Sequence, residues 1–140
     1  MLLNEQQAGI RDMARDFARH EITPFAAQWD RDEAVPLETL AKMGRLGLMG
    51  VCVPEAWGGA GADFVSYVSA MEAIAYGDAG IANMMAATNS PVAAGLLAFG
   101  NDDQKDRFLR PLASGEAISA FLLSEPQAGS DAASIVTRAE

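Results

Sequence analysis

The sequence predicts a mainly α-helical domain of about six helices, in an orthogonal-to-bundle arrangement, followed by one or two β-strands that would open a further β-domain. Three observations predict it. Apolar residues recur at spacings of three and four through most of the first 113 positions. Asn, Asp, Pro and Gly punctuate that pattern where helix ends would fall. Strand-like apolar runs come only afterwards, at Ile118 to Leu123 and from Ile135 on.

Size and charge bound the rest. A length of 140 residues fits one domain, and a hydrophobic content of 50% is enough to fill a core. The net charge of −9 argues against nucleic acid as a partner, which calls for a basic face. Cys52 is the single cysteine, so no internal disulfide can form, in keeping with a reducing compartment. Asn4, Glu5 and Gln6 interrupt the start where a secretion signal would need an apolar run. Gly, Pro, Asn or Ser break the longest apolar stretches, so no membrane span is expected and the default location is cytoplasmic.

The first helix spans Met1 to Ile22. Asn4 can cap it, with Gln7 as the capping-box partner, and Ile10, Met13, Ala14 and Phe17 form its apolar stripe. Thr23-Pro24 breaks it. A short second helix covers Phe25 to Arg31, with Phe25, Ala26 and Trp29 facing inward. Pro36 can open a third helix from Leu37 to Leu46, and Gly47 can stop it. Leu48 to Val53 is a short apolar connection. The glycine-rich loop Pro54 to Ala62 reads first as a structural turn anchored by Trp57, and alternatively as a frame for an active site.

Asp63 can cap a fourth helix running to about Tyr76. Phe64, Val68, Met71 and Ala75 form one stripe and Tyr67, Met71 and Ile74 another, an apolar surface wide enough for burial on more than one side. A fifth helix covers Gly80 to Phe99. Pro91, after Thr88, Asn89 and Ser90, costs it a backbone bond and predicts a kink, either plain or lining a ligand pocket. Asn101 or Asp102 can cap a sixth helix to about Ala113, with Phe108, Leu109 and Leu112 inward and Lys105, Arg107 and Arg110 on a solvated face; Gly115 ends it.

The most informative stretch is Phe121 to Ser134, FLLSEPQAGSDAAS. A buried-type strand is expected from about Ala117 into Leu123, and Pro126 would stop its ladder because it lacks an N–H. Gly129 can take positive φ or let a ligand approach the backbone. Ser130 and Asp131 are cap types, and a Gly-Ser turn with free N–H groups can cradle an anion or cofactor.

Those residues, in the pattern L-S-E-P-x-A-G-S-D over Leu123 to Asp131, resemble the signature of the acyl-CoA dehydrogenase family. Pro54-Glu55-Ala56-Trp57-Gly58-Gly59, the run Gly100 to Lys105 and the order of elements between them fit as well, so the resemblance covers essentially the whole chain. Leu122 departs from the small residue usual at its position, a packing change. The resemblance implies residues 1–116 as the family's N-terminal helical domain and 117–140 as the start of its middle β-domain.

It also implies a chemistry. Such enzymes of fatty acid metabolism take the α-proton of an acyl-CoA and pass a hydride from the β-carbon to FAD, giving the 2,3-enoyl-CoA. Phe121, Leu123 and Ser124 match positions against the flavin ring, and Gly129 and Ser130 match the end of the FAD-contacting segment. Ser130 also matches a contact to the CoA part of the substrate, and the helix carrying Ala87 and Pro91 corresponds to one that helps wall the acyl pocket, which makes these two residues lining candidates. Electron-transferring flavoprotein is the acceptor implied, and full-length members are homodimers or homotetramers. The catalytic glutamate comes from a later domain, so no catalytic residue is assigned here, and the chain alone is expected to bind FAD weakly or not at all and to be inactive.

Blander roles stand beside these. Glu125 is expected to fix the turn by hydrogen bonding, and Asp131 to cap. His20 is lone and reads as a surface or helix-end residue, and Cys52 as a small hydrophobe. No metal-ligand spacing is present. Two competing functions remain. An acyl-CoA oxidase, a nitroalkane oxidase or a flavin monooxygenase would share the scaffold. A naturally short, non-catalytic module for binding or oligomerisation would share the helices.

Overall fold

The computed structural model describes residues 2–138. Helix α1 (Glu5–Phe17) begins at a complete capping box: the Gln7 amide donates to Asn4 Oδ1 at 2.9 Å and the Asn4 amide to Gln7 Oε1 at 3.0 Å. Met1, the expected start, lies outside the described residues, and Leu2 to Asn4 are not helical, because the Asn4 cap sets the start at Glu5. The rod runs on unbroken as a π-turn, Ala18–Ile22. Ala14, Phe17, Ala18 and Ile22 lie buried along one side of it.

Helix α2 (Ala26–Arg31) follows the Thr23-Pro24 turn. Phe25 and Trp29 pack on each other, ring centroids 5.8 Å apart. Contrary to expectation Phe25 does not enter the core: it stays half exposed, because a two-turn surface helix gives its first ring only the next ring to cover it. Helix α3 (Leu37–Arg45) starts after Pro36 and is closed by Gly47 in the left-handed region, φ 77°. Residues 48–53 then pass through the middle of the domain, with Leu48, Met49, Val51 and Val53 buried.

Helix α4 (Phe64–Gly77) is capped by Asp63, which accepts from the Ser66 amide at 2.8 Å and from Gln7 Nε2 at 2.7 Å, tying the start of α4 to the start of α1. The two helices pack lengthwise. They close tightly enough that a Cβ on Gly77 would sit 3.1 Å from that of Ala18. Asp78 caps α5 (Ala79–Ala87), which continues through a second π-turn, Thr88–Ala93, into α6 (Ala94–Phe99). A last rod joins α7 (Asp102–Gln104), a π-turn Lys105–Leu109 and α8 (Arg110–Ala113), again behind a full capping box, Asn101 with Gln104. Leu109 and Leu112 face inward as expected, but Phe108 is half exposed, since the widened π-turn rotates it out of the line of Leu109.

The main core gathers α1, α3, α4, α5 and residues 48–51. A smaller one joins Val53, Ala93, Leu109 and Ala113, with Trp57 packed against it. Lys105 and Arg110 sit over the Trp57 ring at 5.7 and 5.2 Å, so the glycine-rich loop is anchored by that ring.

The segment after Gly115 departs from expectation. Residues 117–123 run without a ladder, and Phe121, Leu122 and Leu123 are exposed rather than buried. The sole bridge among the described residues is the antiparallel pair Glu125–Ala128. The second expected strand, from Ile135, is likewise unpaired through Arg138; its last two positions, Ala139 and Glu140, lie outside the described residues. A strand is a property of a pair, and neither segment has a partner strand among these residues.

Candidate functional site

The site begins at Pro91. Proline has no N–H and its ring clashes with the carbonyl four residues back, so a regular α-turn through it loses a hydrogen bond and is strained. The rod answers with the π-turn Thr88–Ala93 instead of a plain kink. The turn sends Thr88 and Asn89 into the protein, both buried. Asn89 uses its whole amide there: Nδ2 donates to the Leu48 and Met85 carbonyls at 2.9 and 3.0 Å, and Oδ1 accepts from the Val51 amide at 2.7 Å. Residues 48–53 have no sheet to satisfy their polar backbone, and Asn89 satisfies two of its groups.

On its other side the same turn lines a groove of about 730 Å³. One wall is Phe64, Tyr67, Val68 and Met71 of α4; the other is Asn83 and Met84 of α5, with Ala87, Ser90 and Pro91. Ser119, Ala120 and Phe121 close one end. Ala87 and Pro91, named as acyl-pocket candidates, and Phe121, named as a flavin contact, all on the same resemblance, line one cavity. Leu123, Ser124, Gly129 and Ser130 do not line it. Leu123 and Ser124 continue the exposed strip beyond Phe121, and Gly129 and Ser130 lie in the exposed loop that follows.

Two details of that loop bear on what it can hold. Gly129 is not among the glycines with positive φ, and a Cβ placed on it would meet nothing within 4 Å, so no contact inside the chain demands glycine there. None of residues 118–124 has a backbone hydrogen-bond partner among the described residues, and Ser124 has no side-chain partner. A strip of free N–H, C=O and hydroxyl groups beside an apolar groove fits the edge of a flat heteroaromatic ring that needs both donors and acceptors.

The loop is folded even so. The Glu125 and Ala128 backbones exchange two 3.0 Å hydrogen bonds, and Ala128 is buried. The Glu125 carboxylate accepts from the Val136 and Thr137 amides, each at 3.0 Å, and from the Thr137 hydroxyl and Gln127 Nε2. The Thr137 hydroxyl first, then the Val136 amide, lower its pKa from 4.5 to about 2. Glu125 thus holds the turn, as the sequence predicted. Asp131 sits at the start of a short 3-10 turn, Ala132–Ser134, and accepts from the Ser134 hydroxyl at 2.6 Å.

The other candidates stay structural. The exposed His20 ring lies 2.8 Å from the Asp16 carbonyl. Burial, and then the Asp63 charge, push the Cys52 thiol up, which keeps it protonated and unreactive. Asp103 and Asp106 pair with Arg107 and Arg110 one turn on. Among the described residues no acidic, His or Cys cluster could hold a metal, and no helix is long and apolar enough to cross a membrane. A separate groove of about 470 Å³ between α1 and α4, lined by Arg11, Arg15 and Arg19, contains none of the expected residues.

Sequence reasoning missed the α4 wall. The signal was present: an apolar surface wider than one core needs. It pointed to burial on two sides, whereas Phe64 and Val68 are exposed on the groove side. The inward roles of Thr88 and Asn89 carried no signal beyond their closeness to Pro91.

The helical domain therefore presents an apolar groove with a strip of unpaired backbone at one end of it. Comparison with known proteins gives the family. The model of the acyl-CoA dehydrogenase N-terminal domain matches residues 4–116. An acyl-CoA dehydrogenase of Bacillus subtilis is 42% identical over 99% of this chain and 37% of its own length. Butyryl-CoA dehydrogenase of Megasphaera elsdenii superimposes with a TM-score of 0.86 at 35% identity, over 94% of this chain and 35% of that one. An acyl-CoA dehydrogenase of Bacillus anthracis, solved with FAD, gives a TM-score of 0.81 at 32% identity, over 95% and 23%. The chain belongs to the acyl-CoA dehydrogenase family, and it spans about a third or less of the length of these relatives.

Proposed function

We propose that this chain supplies the acyl-facing and flavin-facing parts of an FAD-dependent acyl-CoA dehydrogenase, with residues 1–116 as its N-terminal helical domain and 117–140 as the start of its middle β-domain. The reaction is oxidation of an acyl-CoA thioester to the 2,3-enoyl-CoA. The observation that carries this reading is the meeting of Ala87, Pro91 and Phe121 in one apolar groove next to the unpaired strip 118–124.

FAD, when bound, supplies the hydride acceptor. The residues here bind and orient. Phe64, Val68 and Met71 oppose Ala87 and Pro91 and exclude water from an acyl chain between them. Phe121 and Leu123 offer apolar contact to the ring, while the backbone of the strip and the Ser124 hydroxyl offer hydrogen bonds to its polar edge. Gly129 leaves open space for the cofactor, and Ser130 presents a hydroxyl to it and to the CoA portion. No carboxylate lines the groove among the described residues, so the base that takes the α-proton is assigned to a residue outside it. Electron-transferring flavoprotein is the acceptor this reading implies.

The test is made on two proteins, the 140-residue chain and the product of its native gene. The chain alone is expected to purify without flavin and without activity. The gene product is expected to be several domains long, to carry flavin, and to bleach anaerobically on addition of an acyl-CoA. Stoichiometric flavin on the 140-residue chain, or a flavin-free gene product of the same length, would overturn the proposal.

A further inference from the structure

We infer, resting on the reading that residues 121–124 face the flavin, that Thr88 is a positioning residue: its hydroxyl, through Ser119, fixes which face of the strip looks into the groove. Thr88 is fully buried, and its hydroxyl donates to the Met84 carbonyl at 3.1 Å. Its one proton is then committed, and what it offers Ser119, 3.0 Å away, is a lone pair. Ser119 is therefore the donor of the Thr88–Ser119 bond.

That bond holds a segment with little else to hold it. Residues 118–124 have no backbone partner, and Thr88–Ser119 is their sole side-chain hydrogen bond to the helices among the described residues. The nearest ties on either side are the Ala117 amide to the Pro111 carbonyl, at 3.0 Å, and the Glu125–Ala128 turn. Ser119 and Phe121 both line the groove, with Ala120 between them, whereas Leu122 and Leu123 do not. Anchoring Ser119 on Thr88 turns Phe121 into the groove, and a rotation or slip by one residue would replace it with Leu122.

Thr88 can act as an anchor because its own turn is held from behind. The three hydrogen bonds of Asn89 fix the π-turn to residues 48–51 of the core. One run of contacts thus joins the core to Asn89, the π-turn, Thr88, Ser119 and Phe121. The turn that forms the acyl wall at Ala87 and Pro91 also sets where the flavin-facing strip begins.

The test reads the strip directly. Chymotrypsin cleavage after Phe121 and Leu122 is followed by mass spectrometry in the wild-type protein and in Thr88→Val, Thr88→Ser, Ser119→Ala and the Thr88→Val/Ser119→Ala double variant. Thr88→Val keeps the shape and loses the bond, and cleavage is expected to rise roughly fivefold, the factor for losing one hydrogen bond of ordinary net strength. Ser119→Ala should match it, the double variant should add nothing further, and Thr88→Ser should restore the wild-type rate. Cleavage after Phe99 serves as the control for general loosening. If Thr88→Val fails to fold, Ser119→Ala removes the same bond from the strip side and carries the test. Wild-type rates in both single variants, additive effects in the double variant, or failure of Thr88→Ser to rescue would overturn the assignment. Flavin retention by the native gene product is measured in parallel and is expected to fall in Thr88→Val and recover in Thr88→Ser. A wild-type gene product without flavin counts against the flavin reading, while the cleavage rates still decide the pair.

Discussion

Glu125 is the side chain on which the signature loop depends. Its carboxylate draws together the turn after residue 124 and the backbone at Val136 and Thr137, eleven and twelve residues on. Every one of those bonds favours the ionised form, and together they lower its pKa from 4.5 to about 2. The folded loop therefore holds protons less tightly than the unfolded chain does. The clamp contributes fully above about pH 4.5 and is lost as the pH falls through about 2. The amide resonances of Val136 and Thr137 should titrate together with a midpoint near 2, and in Glu125→Gln they should stand near their released positions at every pH. A midpoint at 4.5 would show that the clamp does not form in solution. The sequence already suggested a turn-fixing carboxylate, because Glu125 stands beside Pro126 in a stretch with no base or metal ligand for it to serve. Asn89 gave no such warning, since its three partners at Leu48, Val51 and Met85 come together only once the chain has folded.

At the scale of elements, what could be read from the chain was what is local. The caps Asn4, Asp63 and Asn101 act within three residues of themselves, and Gly47 and Gly115 end helices by their own positive φ. The π-turns were not legible, because an α-turn and a π-turn have the same composition and only the packing partner chooses between them. The strands expected from Ala117 and Ile135 do not form for a related reason, since neither segment has a partner strand among the described residues. Two helical glycines separate these cases by experiment. A Cβ on Gly44 in α3 would lie 2.1 Å from the Ser114 carbonyl oxygen, where the chain leaving α8 crosses that helix. Gly44→Ala should therefore destabilise the protein by about 2–3 kcal/mol, the upper part of the range for overpacking. Gly95 in α6 has nothing within 4 Å of where a Cβ would stand. Gly95→Ala should stabilise by about 0.5–1 kcal/mol through helix propensity alone. Urea unfolding of the two variants beside wild type checks both signs, and a shared sign would mean that α3 does not cross the 114–115 turn as closely as described.

The molecule as a whole joins a finished interior to an unfinished surface. Ile22, Met43, Met49, Ile74 and Met85 are almost wholly excluded from solvent, which is the mark of a packed core. Yet Phe64, Phe99, Leu122 and Val136 are at least two-thirds exposed or close to it, more large apolar side chains than scattered surface residues would explain. A loosely packed domain would also show apolar surface, and the two conditions differ in how they melt. The native chain is expected to bind the dye ANS and, at the same time, to unfold in one cooperative step. Leu122→Ser and Phe99→Ser should each lower the dye fluorescence while shifting stability by no more than about 0.5 kcal/mol, since neither side chain is part of the core. If both substitutions leave the dye signal unchanged and the melt is gradual, the dye is entering the interior, and the helices are not packed as the buried methionines and isoleucines require. If the signal falls and the melt stays sharp, the dye is reading a fixed apolar face on a well-ordered domain, and residues 118–124 stand at the edge of that face with their backbone unpaired.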